Sequence, residues 1–328
     1  MTVTSSCRGT PAGTAIGVSG LVLDRRGFVA VAASLLTSLV PAVGAARQRT
    51  RLILLGTGGG PRPRASAIAS AQVVVAGDRL YVVDCGDGVA RQLVLAGLAL
   101  PTLRHVFITH HHSDHNADYG NLLLLAWASG LRGRVDTWGP PPIERITRLF
   151  LEMSATDIDT RVADEGRSPL APLIHAHDLG APGLVLEDDR VKVTCAVARH
   201  PLIKAAFAYR FDAADRSIVI SGDTAMSEDV VALAKGADVL VHEVLYPDAV
   251  DRLAARVPTA ATLKQHLLAS HTTVEECGRV AAAASVKTLV LSHFVPADDP
   301  LVTEEMWRRA AARHFAGRIV VGRDLMEI

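Results

Sequence analysis

The sequence has no surplus of charge: its 328 residues hold 34 Lys and Arg against 34 Asp and Glu. No global field draws it to nucleic acid, so composition alone argues against a polynucleotide partner. Cysteine is scarce. The four cysteines include no CxxC pair, which supports neither a disulfide framework nor a zinc finger. Cys85, Cys195 and Cys277 read instead as small buried hydrophobes. Long apolar runs are missing as well. The run from Phe28 to Val43 is 16 residues, short for a membrane span. There is no internal repeat and no low-complexity linker. What remains is an ordinary globular composition, 49% hydrophobic and 21% charged, long enough to bury a large core.

The N-terminus differs from the rest. In "DRRGFVAVAASLLTSLVPAVGAARQ" the pair Arg25–Arg26 precedes the apolar run, and the small residues Gly44, Ala45 and Ala46 follow it. This pattern predicts a twin-arginine-type export signal over residues 1–46, cleaved at small residues, with delivery to the periplasm and no stable membrane anchor. The alternative is an uncleaved anchor or a tail. Cys7 would leave with the signal. Residues 47–328 then form one domain.

Along that domain, "RLILLGTGGG" reads as a strand running into a glycine turn. Its GxGxG look suggests a dinucleotide site, but Pro61 and Pro63 stand where the phosphate-binding helix should begin, so that reading fails. "AQVVVAGDRLYVVDCGDG" predicts a hairpin around Gly77–Asp78, and "VARQLVLAGL" a helix closed by Gly97. Further strands are "HVFITH", "DRVKVTCAVARH", "KAAFAYRFD", "RSIVISGD", "DVLVHEV", "KTLVLSHF" and "GRIVVGRD". Helices such as "SEDVVALAKG" and "TVEECGRVAAAA" lie between them. Hairpins come first in each half and strand–helix alternation follows, which predicts an α/β chain of two packed sheets with helices outside.

The chemistry concentrates in "FITHHHSDHNADYG". Read as the end of a strand, this stretch points His110 and His112 the same way and His111 the other. Asp114 and His115 follow in the turn. HxHxDH thus offers nitrogen ligands to one metal and a carboxylate plus nitrogen to another, a donor set that zinc accepts. A single structural ion is the plainer alternative. Against it, "VARHP" (His200), "ISGDTA" (Asp223) and "VLSHF" (His293) each place a further ligand beyond a β-branched strand. That makes seven ligands with one bridging carboxylate.

On these residues the chain resembles the metallo-β-lactamase superfamily, in the branch that holds ribonuclease Z and the zinc arylsulfatases. "LLGTGGGPRPRAS", "YVVDCGDGVARQL", "FITHHHSDH", "RHP", "SGDT", "VHE", "SHTT" and "LSHF" occur in that branch's order. The resemblance implies an αββα sandwich, two mixed sheets packed together with helices on both outer faces, and two zinc ions between the halves. Other divalent ions such as Mn2+ are alternatives. It implies that His110, His112 and His200 hold one ion, that Asp114, His115 and His293 hold the other, and that Asp223 bridges them. Asp84 matches a residue that braces the metal loop. His112 stands where redox diiron members carry glutamate, which favours hydrolysis. Asp223 argues against the lactamases themselves.

A metal-bridging hydroxide would then attack an ester, because two ions about 3.5–4 Å apart bring the pKa of water down towards roughly 7. Asp114 or Asp223 would orient it. His271 of "ASHTTVEEC" is the expected donor or anion stabiliser for the leaving group. It stands before a helix whose Thr273-x-x-Glu276 reads as a capping box, and Glu243 of "VHE" could orient it. The plainer readings are a helix-start histidine and a strand-end carboxylate. His105, His111, His175, His177, His242, His266 and His314 read as surface or satisfied core residues.

For the substrate, ribonuclease Z usually carries a long basic arm between the third histidine and SGDT. Here "PLIKAAFAYRFDAADRSIVISG" leaves room for one hairpin. Balanced charge and the export signal point the same way. The expectation is therefore a small-molecule ester (sulfate, phosphate, or carboxylic ester and lactone), arylsulfatase-like, with no nucleic-acid partner and with a homodimer as an allowed assembly. The alternatives are a ribonuclease Z-like phosphodiesterase and a non-catalytic metal-binding module. Two longer segments, 149–178 and 246–270, should wall the metal edge with Leu149, Phe150, Met153, Leu263 and Leu267.

Overall fold

The computed structural model describes residues 49–328, so the export segment predicted for residues 1–46 lies outside the described residues. The chain enters at β1 (Arg51–Gly56), turns back through the hairpin β2 (Ala71–Ala76) and β3 (Arg79–Val83), and passes α1 (Val89–Leu95) into β4 (Leu103–Phe107). A short α2 (Ser113–Asn116) and α3 (Tyr119–Ala128) lead to β5 (Val135–Gly139). Then α4 (Ile143–Met153) and α5 (Ala155–Glu165) lead to β6 (Ile174–Asp178).

The second half repeats that plan. β7 (Gly183–Glu187), β8 (Val191–Val197), β9 (Phe207–Ala213) and β10 (Ser217–Ile220) form an antiparallel meander. Parallel crossovers follow, through α6 (Glu228–Ala234), β11 (Val239–Leu245), α7 (Val250–Ala255), α8 (Leu263–Ser270), α9 (Val274–Ala283), β12 (Thr288–Val295), α10 (Glu304–Ala312) and β13 (Arg318–Val321). The last strand, β14 (Met326–Glu327), returns to the other sheet and pairs with β1.

Each sheet has seven strands, in the orders β14-β1-β2-β3-β4-β5-β6 and β13-β12-β11-β10-β9-β8-β7. Alternation along the strands explains the layers, since neighbouring side chains face opposite sides. In β1, Leu52 and Leu54 join Val74, Tyr81, Phe107, Tyr209 and Phe211 between the sheets. Ile53 and Leu55 join Val73, Val82, Leu93, Leu122 and Trp127 under the first sheet's helices. Val219, Leu240, Val280 and Trp307 fill the outer layer of the second half. Strands buried on both faces must be apolar throughout, which is why so many read as continuous hydrophobic runs. The expected αββα sandwich is the observed fold.

Two helix caps follow their sequences. Thr273 and Glu276 make the full capping box of α9, and Ser227 caps α6. Among the described residues no helix is long and apolar enough to cross a membrane.

Candidate metal centre

Three loops, the short helix α2 and one strand bulge bring the expected ligands to one edge of the sandwich. β4 stops at Phe107, so His110 and His112 lie in the loop beyond it, and strand alternation does not set their direction. Asp84 sets it instead. Its carboxylate accepts the Thr109 backbone N–H at 2.8 Å, the Thr109 hydroxyl at 2.9 Å and the His115 Nδ1–H at 2.7 Å. Asp84 itself has φ 61, a left-handed conformation that a non-glycine residue keeps only under strong local constraint.

His293 corrects a second expectation, because it lies within β12 and not beyond it. Register between β11 and β12 shifts there: Glu243 pairs Ser292, but Val244 pairs Phe294. His293, at φ 48, is the extra residue of this bulge, which swings its ring out of the ladder. Gly59 allows the approach. A Cβ on that glycine would meet the His293 Nδ1 at 2.7 Å. Asp223 follows β10 across Gly222, whose φ of 58 and 2.9 Å Cβ distance to Thr109 would strain any larger residue.

The donor atoms gather into two groups that share Asp223: His110, His112 and His200 in one, Asp114, His115 and His293 in the other. Nearly all are buried, and His112 is half-buried. Within the first group, His112 Nδ1 is 3.0 Å from His110 Nε2 and 3.2 Å from His200 Nε2. Within the second, His115 Nε2 and His293 Nε2 are 3.2 Å apart. Asp223 Oδ1 is 3.2 Å from both of those nitrogens, while its Oδ2 turns to His110 Nε2 at 3.8 Å. Asp114 Oδ2 lies 3.3 Å from His293 Nε2 and accepts the Gly60 N–H at 2.7 Å.

These residues fit a pair of metal ions. His115 gives its Nδ1 hydrogen to Asp84, and His200 gives its Nδ1 hydrogen to the Ser270 carbonyl at 3.2 Å. Carboxylates and carbonyls only accept, so both rings present lone pairs at Nε2. His110 Nδ1 is likewise taken by the Thr109 oxygen at 3.1 Å. Bare lone pairs facing one another repel unless a cation lies between them. Ligands about 2.1 Å from a tetrahedral ion stand about 3.4 Å apart, close to the separations seen here. Asp223 Oδ1 is buried with no hydrogen-bond partner among the described residues, an orphan that a cation would satisfy.

Electrostatics agrees. Burial lowers the pKa of His110 and His112, and takes His200 down to about 4, so these imidazoles stay neutral and able to ligate. Burial opposes ionisation of Asp223, but positive charge on the facing His293 and His115 rings outweighs it and holds the carboxyl well below its usual range. Against burial, Asp223 and Asp84 in turn raise the pKa of His115, a proton whose place a cation would take. Asp114 is also lowered, with His115 and His293 overcoming burial. Buried carboxylates converging in this way call for positive charge at the centre.

His271 stands beside the second group. Its Nδ1 is 3.3 Å from Glu243 Oε2 and 3.9 Å from Asp223 Oδ2. Burial disfavours the imidazolium, yet Glu243 and then Asp223 prevail and raise the pKa to about 9. Glu243 is fixed in turn, accepting the N–H groups of Thr224 at 3.2 Å and Thr272 at 2.8 Å.

The centre floors a cleft of about 590 Å³. One wall is the glycine turn after β1, with Gly59, Gly60, Arg62 and Arg64; the other is Leu253, Val257, Leu263, His266 and Leu267. Of the two segments expected to wall the metal edge, only 246–270 does so. Leu149 and Met153 are exposed, and Phe150 packs on Gly120. His111 turns away, bonded to the Pro140 carbonyl. His105 and His177 stack with Trp138, and His242 is fully buried. His266, expected to be bland, lines the cleft. So do Arg62 and Arg64, to which the sequence pattern assigns no role.

Residues 79–294 match the family model described as "Beta-lactamase superfamily domain". The chain therefore belongs to the metallo-β-lactamase superfamily. Within it, the chain falls in the ribonuclease Z branch. It is 33% identical over 280 residues to a ribonuclease Z of Mycobacterium bovis, covering 84% of this chain and 97% of that one. It is 34% identical to a ribonuclease Z of Mycobacterium avium, covering 84% and 96%. Two solved structures share the fold. The metallo-beta-lactamase fold protein YhfI from Bacillus subtilis has a TM-score of 0.65 at 21% identity, with 85% of this chain and 98% of that one covered. The short form of human tRNase Z has a TM-score of 0.62 at 21% identity, over 85% and 98%. Fold and donor clusters together point to a dinuclear metal centre.

These relatives correct the expectation of a small-molecule ester with no nucleic-acid partner. The proteins matched almost end to end are named ribonuclease Z, and the arylsulfatase-like preference finds no support among them. The missing arm was a poor guide. Since 84% of this chain and 97% of the relative fit one alignment of 280 residues, that ribonuclease Z has no room for a long insertion either. Whole-chain neutrality was equally uninformative, because Arg62 and Arg64 sit at the cleft.

Proposed function

We propose that this chain is a ribonuclease Z-like phosphodiesterase that uses two zinc ions to hydrolyse a phosphodiester bond in RNA. The observation that carries the reading is the pair of donor groups sharing Asp223 at the floor of an arginine-edged cleft. Nitrogen and oxygen donors in these numbers suit zinc. Bound there, two ions would supply water of lowered pKa and neutralise charge developing on phosphorus.

The protein's own groups supply the rest. Asp114, fixed by Gly60, and Asp223 belong to the donor groups, and either could accept a hydrogen bond from the attacking water. His271, held by Glu243, is placed to give a proton to the departing oxygen or to steady its charge. Of the arginines at the cleft, Arg64 is bonded to the Gly59 and Gly60 carbonyls, while Arg62, paired with Asp298 through one nitrogen, keeps further N–H groups that suit a phosphate oxygen.

Export through Arg25–Arg26 is also proposed. An exported molecule would act on RNA outside the cytoplasm, where tRNA maturation does not take place. The test of function is incubation of the zinc-loaded protein with an RNA bearing a 3′ extension and with bis-p-nitrophenyl phosphate. Zinc-dependent cleavage of both is expected. Inertness towards every phosphodiester, beside hydrolysis of sulfate or carboxylic esters, would overturn the reading.

A further inference from the structure

On α8, Leu263, His266, Leu267 and Ser270 stand at helical spacing, and all four turn inward. Three of these positions are accounted for. Leu263 and Leu267 build the apolar wall of the cleft, and the Ser270 carbonyl takes the His200 Nδ1 hydrogen. An imidazole inside an apolar stripe needs a partner to offset its desolvation. His266 has one at a single nitrogen: the Ser270 hydroxyl, one turn along the helix, is 3.3 Å from its Nδ1. If that hydroxyl donates, Nε2 carries the hydrogen, and it has no partner among the described residues.

The ring itself borders the metal centre. Its centroid lies 6.1 Å from His112, 5.8 Å from His200 and 6.0 Å from His271. It is not among the atoms that converge on either ion position. His266 therefore stands beside the first donor group, with His271 next to it on the same wall of the cleft. Two N–H donors so placed can reach oxygens of one tetrahedral anion lying on the metal centre.

We propose that His266 is a substrate-contacting residue, donating its Nε2 hydrogen to the phosphate group while Ser270 fixes the ring. The proposal rests on the phosphodiesterase reading for its ligand class. It makes Ser270 a double support, with its carbonyl setting a metal ligand and its hydroxyl setting a substrate contact.

The test is calorimetric binding of inorganic phosphate to zinc-loaded full-length protein, with zinc content measured alongside. A hydrogen bond to a charged group supports a loss of about 10- to 100-fold when it is removed, so His266→Ala should bind phosphate at least about tenfold more weakly. His266→Gln, whose amide can still donate, should recover most of the affinity. Ser270→Ala should fall between. All three should keep the wild-type zinc content. With bis-p-nitrophenyl phosphate, kcat/KM should follow the same order. Equal phosphate affinity in wild type and His266→Ala overturns the proposal, and so does a wild-type protein that binds no phosphate. A wild type that binds phosphate through His266 yet cleaves no phosphodiester refutes the functional reading and leaves this one standing.

Discussion

Asp84 and His115 are joined by a 2.7 Å hydrogen bond from the imidazole Nδ1 to the carboxylate, across 31 residues of sequence. The same carboxylate holds Thr109, so one buried side chain sets both the ring that presents Nε2 to the centre and the loop that carries His110 and His112. Removing it should loosen several ligands together. Asp84→Ala is expected to weaken metal affinity by about 10- to 100-fold, the usual effect of losing such a support. Competition with a chelator measures it. Unchanged affinity would mean that the loop is held by other contacts.

His271 separates chemistry from metal binding. His271→Ala should keep both ions, and its turnover should fall by roughly 10²–10⁴, the usual effect of a positioned proton donor. Across phosphodiesters graded by leaving-group pKa, the loss should shrink as the leaving group becomes more acidic. A uniform loss would leave His271 only the anion-steadying role. His115→Ala should lose metal and activity together, whatever the leaving group.

The sequence made the ligand identities legible but not the geometry behind them. Histidine and aspartate at fixed spacing near strand ends are visible in one dimension, as are alternating apolar strands and a Thr–Glu capping box. The positive φ of Asp84 and the bulge at His293 are not, because both arise from pairing with distant segments. Strand alternation is not what aligns His110 and His112: β4 has ended by Phe107, and the Asp84 anchor does the aligning. No local pattern marks His266 in the sequence. Its meaning comes from a helix that packs beside a loop some 150 residues earlier in the chain. A lone histidine between leucines is ordinary core until that packing is known.

Stability should depend on pH through His105, which stacks between Tyr81 and Trp138. Burial lowers its pKa from 6.5 to about 4, against the pull of Asp188 and Asp136. Between those values the unfolded chain binds a proton that the folded chain refuses. Stability therefore falls as pH drops from 6.5 towards 4, by about 3 kcal/mol at full effect. His105→Phe keeps the stack and removes the titration. Urea unfolding at pH 7 and pH 4 should show a smaller acid loss in the variant, and an equal loss would contradict the assignment.

Export is tested in cells. Arg25→Lys with Arg26→Lys should leave the protein in the cytoplasm with its signal uncut, because the arginine pair is what the export receptor reads. Fractionation followed by N-terminal sequencing distinguishes the outcomes. Normal periplasmic delivery of the double variant would refute the assignment.

The two-ion centre is tested most directly by elemental analysis of the purified protein beside Asp223→Ala. Asp223 offers an oxygen to each donor group, with Oδ1 towards His115 and His293 and Oδ2 towards His110. Two divalent ions per chain are expected in the wild type, and clearly fewer in the variant, with phosphodiester cleavage lost alongside. One ion per chain in the wild type, unchanged by Asp223→Ala, would contradict a dinuclear hydrolytic centre.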